Sequence, residues 1–143
     1  MKRRSFTIAV SLYLTRVSMA KADPDLLPPD QAFKMALGAV GTGTIEIKFR
    51  SARGYYLYAD RFTFESDNPV VKVVGVSMPA GLVKYEEAFG RNVSYFRGDV
   101  SVLVTVQGGA IPFNLAVCAQ GCADAGVCYP PVTKTFNVLG RNL

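Results

Sequence analysis

The chain has 143 residues, half of them hydrophobic, with a formal charge of +5 and no histidine. That length and apolar content argue against a disordered chain and provide for one domain with its own core. The lack of histidine removes the usual general base and the commonest metal ligand, which excludes Ser–His and Cys–His nucleophilic sites.

Lys2, Arg3 and Arg4 precede a largely apolar run from Ser5 to Leu14, and Ala20-Lys21-Ala22 supplies an A-x-A-like cleavage site. This pattern predicts a secretory signal peptide over 1–22 and an exported domain over 23–143. Arg16 interrupts the apolar run, which falls short of the ~20 residues a bilayer span requires, so no membrane span is expected in the mature chain. Lys2, Arg3, Arg4, Arg16 and Lys21 account for the whole of the +5, leaving the chain from Asp23 onward formally neutral. No basic stripe interleaves with aromatics, so a nucleic-acid partner is not expected.

Asp23 to Asp30 is rich in Pro and Asp and reads as an extended lead-in. Thr44 to Arg50 then alternates, with Ile45, Ile47 and Phe49 on one face and Glu46, Lys48 and Arg50 on the other, as a half-buried strand requires. Tyr55 to Phe64 is aromatic-rich and suits β structure. Val70 to Val76 is a more continuous apolar strand. Val100, Val102, Val104 and Val106 repeat the two-residue period, as do Phe113, Leu115 and Val117, and Lys134 to Val138 supplies a last strand. Gly41-Thr42-Gly43, Asp67-Asn68-Pro69, Pro79-Ala80-Gly81 and Gly108-Gly109 mark turns between these runs. Many short strands at this spacing predict an all-β, immunoglobulin-like β-sandwich.

The chemistry concentrates in Gly121-Cys122-Ala123-Asp124-Ala125-Gly126-Val127-Cys128-Tyr129-Pro130-Pro131. Five residues separate Cys122 from Cys128, unlike the Cys-x-x-Cys of a thioredoxin-like helix. The spacing is compatible with a disulfide across a tight loop or a strand pair. Gly126 gives backbone freedom beside Cys128, and Pro130-Pro131 stiffens the exit. On the residues alone two readings stand side by side. One is a redox pair; the other is a stapling disulfide, whose short loop would contribute about 2 kcal/mol. Three cysteines without histidine do not complete a four-ligand zinc site, so no metal is expected. Cys118 lies on the strand face opposite Phe113, Leu115 and Val117, as a lone small residue or a competing partner for Cys122.

The cysteine segment closely resembles the active-site segment of the N-terminal periplasmic domains of DsbD-type thiol:disulfide interchange proteins. Gly54-Tyr55-Tyr56-Leu57-Tyr58 is similar to a Gly-Tyr-Tyr-Leu-Tyr segment of that family. Pro79-Ala80-Gly81 and Glu86-Glu87-Ala88-Phe89-Gly90 fall where the family has its Pro-x-Gly turn and its acidic–aromatic cap loop. The likeness runs from about Pro28 to about Val138.

The resemblance implies an immunoglobulin-like sandwich with both cysteines at one end and no cofactor. It implies a periplasmic relay that takes electrons from the thioredoxin-like domain of a membrane electron transporter. Those electrons pass to periplasmic disulfide isomerases or cytochrome c maturation thioredoxins. Cys128 would form mixed disulfides with partners and Cys122 would resolve them. Tyr56 and Tyr58 would pack about the cysteines. Glu86 and Glu87, which read by themselves as a solvated turn, would lie nearby, where a carboxylate disfavours a thiolate. Where the family carries Phe-Tyr before the cap glycine, this chain has Ala88-Phe89-Gly90, with Ala88 at the shielding phenylalanine's place. Either Phe89 supplies the cover from the next position, or the disulfide is more exposed and less selective. Two other readings keep the same fold: a binding or structural module whose disulfide is a staple, and a scavenger or chaperone that binds reduced proteins without turnover.

Overall fold

A computed structural model of the chain describes residues 25–108 and 112–139. The expected signal peptide over 1–22 lies outside them, as does Gly109 of the last turn signal. The lead-in is not extended throughout. Its end winds into one helical turn, α1 (Pro29–Ala32), started by a proline whose fixed φ suits a first helical position.

The strands follow in order: β1 (Phe33–Gly41), β2 (Thr44–Ser51), β3 (Tyr55–Tyr58), β4 (Thr63–Ser66), β5 (Lys72–Ser77), β6 (Leu82–Glu86), β7 (Arg91–Phe96), β8 (Asp99–Gln107), β9 (Phe113–Ala119), β10 (Gly121–Ala123) and β11 (Val132–Val138). All pairings are antiparallel, in sheets ordered β1-β2-β8-β5, β10-β3-β7-β6 and β11-β9-β4. The domain is an all-β, immunoglobulin-like sandwich, as the strand pattern predicts. Among the described residues no helix is long and apolar enough to cross a membrane.

The core is built by the alternating strands. Ile45, Ile47 and Phe49 of β2 and Val100, Val102, Val104 and Val106 of β8 join Leu115 and Val117 of β9 and Phe136 and Val138 of β11 in one buried cluster. Register makes this possible: Ile47 sits opposite Val102 and Phe49 opposite Val100, so the apolar faces of β2 and β8 coincide. Phe62 stacks between Phe49 and Phe96, with ring centroids 4.3 and 6.0 Å away.

The aromatic stretch Tyr55 to Phe64 is two strands rather than one. A 3-10 turn at Ala59–Arg61 separates β3 from β4 and carries the chain from one sheet to another. The apolar run expected from Val70 enters its strand only at Lys72, because Asn68 and Pro69 hold a turn in which Val71 N–H bonds the Asn68 carbonyl.

Candidate functional site

β3 decides the location of the site. Its four residues are all buried, which requires cover on both faces. Tyr55 and Leu57 enter the main core, whereas Tyr56 and Tyr58 form a second buried cluster with Val93 and Cys122. The pairing explains this separation. Cys122 of β10 is opposite Tyr56, and Tyr58 is opposite Tyr95 of β7, so cysteine and tyrosines share the sheet face turned away from the core.

Gly121 lets β10 reach that position. A Cβ there would stand 2.2 Å from the Tyr56 carbonyl oxygen and 2.6 Å from a Phe33 ring carbon. After β10 the chain turns back tightly. Ala123 N–H bonds the Val127 carbonyl at 2.8 Å, Gly126 N–H bonds Ala123 at 2.9 Å, and Tyr129 N–H bonds Gly121 at 3.0 Å. Gly126 takes a φ of +88°, a conformation side chains with a Cβ rarely adopt. The return brings Cys128 opposite Cys122 as an isolated antiparallel bridge, with Cα atoms 4.0 Å apart and the two sulfurs bonded.

The two halves of this disulfide differ in environment. Cys122 is 0% exposed, whereas Cys128 lies on the surface among exposed loop residues Asp124 to Val127. The loop is anchored from outside: Asp124 N–H bonds the Gly54 carbonyl at 2.8 Å, and its carboxylate takes two bonds from Arg97 at 2.7 and 3.1 Å. That pairing holds Asp124 below the usual carboxylate range. Tyr129 donates to the Leu27 carbonyl at 2.7 Å, tying the loop's exit to the lead-in.

A polar chain runs from the buried sulfur to the β6–β7 hairpin. The Tyr58 hydroxyl lies 3.5 Å from Cys122 Sγ and donates to Glu86 Oε2 at 2.9 Å. Burial first, then hydrogen bonding with Tyr56 and Glu86, pushes the Tyr58 pKa up, so the phenol stays protonated. Lys84 Nζ donates to Tyr56 Oη at 2.7 Å and pairs with Glu86 Oε2 at 2.9 Å. Bonds from Lys84 and then Tyr58 outweigh desolvation and hold Glu86 below its ordinary value.

The expected site residues therefore separate. Tyr56, Tyr58 and Glu86 are gathered at Cys122. Glu87, Ala88 and Gly90 lie exposed in the β6–β7 turn, where Phe89 and Gly90 N–H groups bond the Glu86 and Glu87 carbonyls. Phe89 lies edge-on to Tyr58 at 5.6 Å, flanked by Arg61 and Arg91, so its described aromatic contact is with the tyrosine. Cys118 is half-buried on β9 beside Thr63 and Thr133 and carries no disulfide. Sequence reasoning did not single out Lys84, Tyr95 or Arg97. The two-residue spacing of Lys84 and Glu86 on a strand was the signal available for the first. Among the described residues no group of three or more His, Cys, Asp or Glu side chains gathers in a way that could hold a metal ion.

The chain is similar to known proteins in both sequence and fold. The family model described as thiol:disulfide interchange protein DsbD, N-terminal, matches residues 23–140. A thiol:disulfide interchange protein DsbD from Ralstonia nicotianae is 40% identical over 119 residues, covering 83% of this chain and 20% of that protein. The chain thus spans about a fifth of that relative's length. The crystal structure of the Neisseria meningitidis DsbD N-terminal domain in the reduced form superposes with a TM-score of 0.71 at 33% identity, covering 80% of this chain and 90% of that one. A structure of the complex between the DsbD and PilB N-terminal domains of the same organism matches with a TM-score of 0.69 at 32% identity, over 82% of this chain and 91% of that one. With a family match over nearly the whole described chain and a solved relative of the same fold, this chain belongs to the family of DsbD N-terminal domains.

Proposed function

We propose that residues 23–143 form a periplasmic thiol–disulfide exchange domain, exported by a signal peptide over 1–22, with Cys128 as the partner-facing cysteine and Cys122 as the resolving one. The observation that carries this reading is the asymmetry of the disulfide: one sulfur on the surface, the other fully buried. An incoming thiolate reaches Cys128 Sγ, forms a mixed disulfide with it, and expels Cys122 as a thiolate that keeps the electron pair of the broken bond. A second thiolate of the reductant then attacks its own sulfur in the mixed disulfide and releases Cys128. Two electrons have entered the domain, and proton uptake leaves two thiols. Toward a client the order reverses: the Cys128 thiolate attacks the client disulfide and Cys122 resolves the adduct. Carrying electrons this way requires no cofactor.

The reductant fitting this chemistry is the thioredoxin-like domain of a membrane electron transporter. The clients are periplasmic disulfide isomerases or cytochrome c maturation thioredoxins. The complex of a relative's N-terminal domain with the PilB N-terminal domain supports a protein partner for this domain. In this reading Tyr56, Tyr58 and Glu86 set the environment of Cys122, and Phe89 shields from the Tyr58 side where Ala88 cannot.

The test is trapping. A Cys122→Ala domain mixed with a reduced thioredoxin-like partner activated at its thiol, or with an oxidised client, accumulates a mixed disulfide through Cys128 because nothing resolves it. Absence of that adduct would overturn the relay. A Cys122–Cys128 bond still oxidised below about −300 mV would identify a staple instead.

A further inference from the structure

Lys84 stands on the same face of β6 as Glu86, and its ammonium lies 3.9 Å from the centre of the Tyr56 ring. Burial works against that ammonium, but the bonds to Tyr56 and Glu86 prevail and leave Lys84 above its ordinary pKa. One oxygen, Glu86 Oε2, thus receives both the Lys84 ammonium and the Tyr58 hydroxyl, each at 2.9 Å. Tyr58 has a single proton. While that proton points at Glu86, the Tyr58 oxygen presents lone pairs to Cys122 Sγ at 3.5 Å.

This arrangement suits the closed disulfide and opposes its opening. When Cys128 Sγ is attacked, Cys122 departs as a thiolate in a site that is 0% exposed. There the new charge would face phenolic lone pairs and, one oxygen further on, the Glu86 carboxylate. Rotation of the Tyr58 hydroxyl from Glu86 to sulfur removes the first opposition and supplies a charge-assisted bond. That rotation takes one of two donors away from Glu86, so a second donor must remain. The other cations near this face have neighbours of their own, and Arg61 lies over the Phe89 ring at 5.1 Å. Arg97, 5.3 Å from the Tyr56 ring centre, is held by two bonds to Asp124, and Arg91 pairs with Asp60.

We propose that Lys84 is a positioning residue for disulfide opening: it keeps Glu86 neutralised, so that the Tyr58 hydroxyl can turn to the departing Cys122 sulfur. The inference rests on exchange at Cys128 and adds to it the group that makes Cys122 a competent leaving thiol. Lys84 itself touches neither sulfur in this account and acts through Glu86 and Tyr58.

The experiment follows opening of the oxidised domain by dithiothreitol at neutral pH, in the parent and three variants whose folding is checked by urea unfolding. Lys84→Met leaves Glu86 as an uncompensated charge that retains the Tyr58 proton, and slows opening on the order of tenfold. Lys84→Arg keeps the cation and restores most of the rate. Lys84→Met combined with Glu86→Gln removes both charges and recovers most of the loss, which a purely structural role for Lys84 would not produce. Should Lys84→Met fail to fold, Lys84→Gln alone and with Glu86→Gln makes the same comparison. A direct readout is the thiolate absorbance titration of Cys122 in a Cys118→Ser, Cys128→Ser background, where Lys84→Met moves the titration to higher pH. An unchanged opening rate, or a slowed rate that Glu86→Gln does not recover, would overturn the role of Lys84. Either result leaves the relay intact, since that reading fails only when Cys128 forms no mixed disulfide.

Discussion

Reducing the Cys122–Cys128 bond should weaken this domain without unfolding it. The two cysteines are six positions apart, and in the chain-entropy account a loop that short contributes about 2 kcal/mol. Domains of this size are commonly stable by about 5–15 kcal/mol, so such a loss is tolerable. The packing points the same way. The main core runs through β2, β8, β9 and β11 and does not include Cys122, which sits in the small cluster with Tyr56, Tyr58 and Val93. The loop also keeps anchors that do not involve sulfur, namely Ala123 to Val127, Asp124 to Gly54 and the Arg97–Asp124 pair. Cys128 should therefore stay near Cys122 after reduction, ready to close again. Urea unfolding of the oxidised and fully reduced domain measures this directly. A cooperative transition in both states is expected, with the reduced midpoint lower by about 1–2 M for a urea slope of 1–2 kcal/mol/M. A reduced domain with no cooperative transition would refute the reasoning, because the bond would then be holding the fold together.

Other outcomes follow from the same geometry. Gly121→Ala drives a Cβ into the Tyr56 carbonyl oxygen and the Phe33 ring, and backbone cannot yield without breaking the β10–β3 pair. It should cost about 1–3 kcal/mol or more in thermal unfolding and expose Cys122 to alkylation in the reduced state, whereas an unchanged melting temperature would mean β10 is not held so closely. Glu86 is depressed below its reference of 4.5, so its pairing stabilises the fold fully above that pH and loses that effect as pH falls through the lower folded value. Glu86→Gln should therefore be less stable than the parent at pH 6, with a gap that closes at more acid pH; a gap independent of pH would reject the ionic origin. Phe89 is 37% exposed and gives only part of its surface to Tyr58, so Phe89→Ala should cost no more than about 2 kcal/mol. Its larger effect should be severalfold faster reduction by a small thiol, and an unaltered rate would show that Phe89 shields nothing.

What could be read along the chain was whatever depends on neighbours a few residues away. The two-residue period of Thr44 to Arg50 and of Val100 to Val106 requires half-buried strands, and both form as β2 and β8. The cysteine segment carried its family in its order of residues, and with it the fold. Elements with weaker local patterns escaped. Neither β6 nor β7 was singled out as a strand, since Leu82, Val83 and Tyr85 are exposed and Arg91 and Asn92 are polar. The reading of Glu86 and Glu87 as one solvated turn fails for the first and describes the second, although the two are adjacent in the chain. Tertiary register made that division. Strand alternation turns Glu86 to the Tyr58 side and leaves Glu87 in the turn, and the β3–β7–β6 pairing brings Lys84 beneath Tyr56. The exposure of Cys128 against the burial of Cys122 has the same origin, since β10 is clamped against β3 while the return strand is not. Local sequence limits which backbone shapes are affordable, but which side chains meet across strands depends on contacts dozens of residues apart, and those only the folded chain determines.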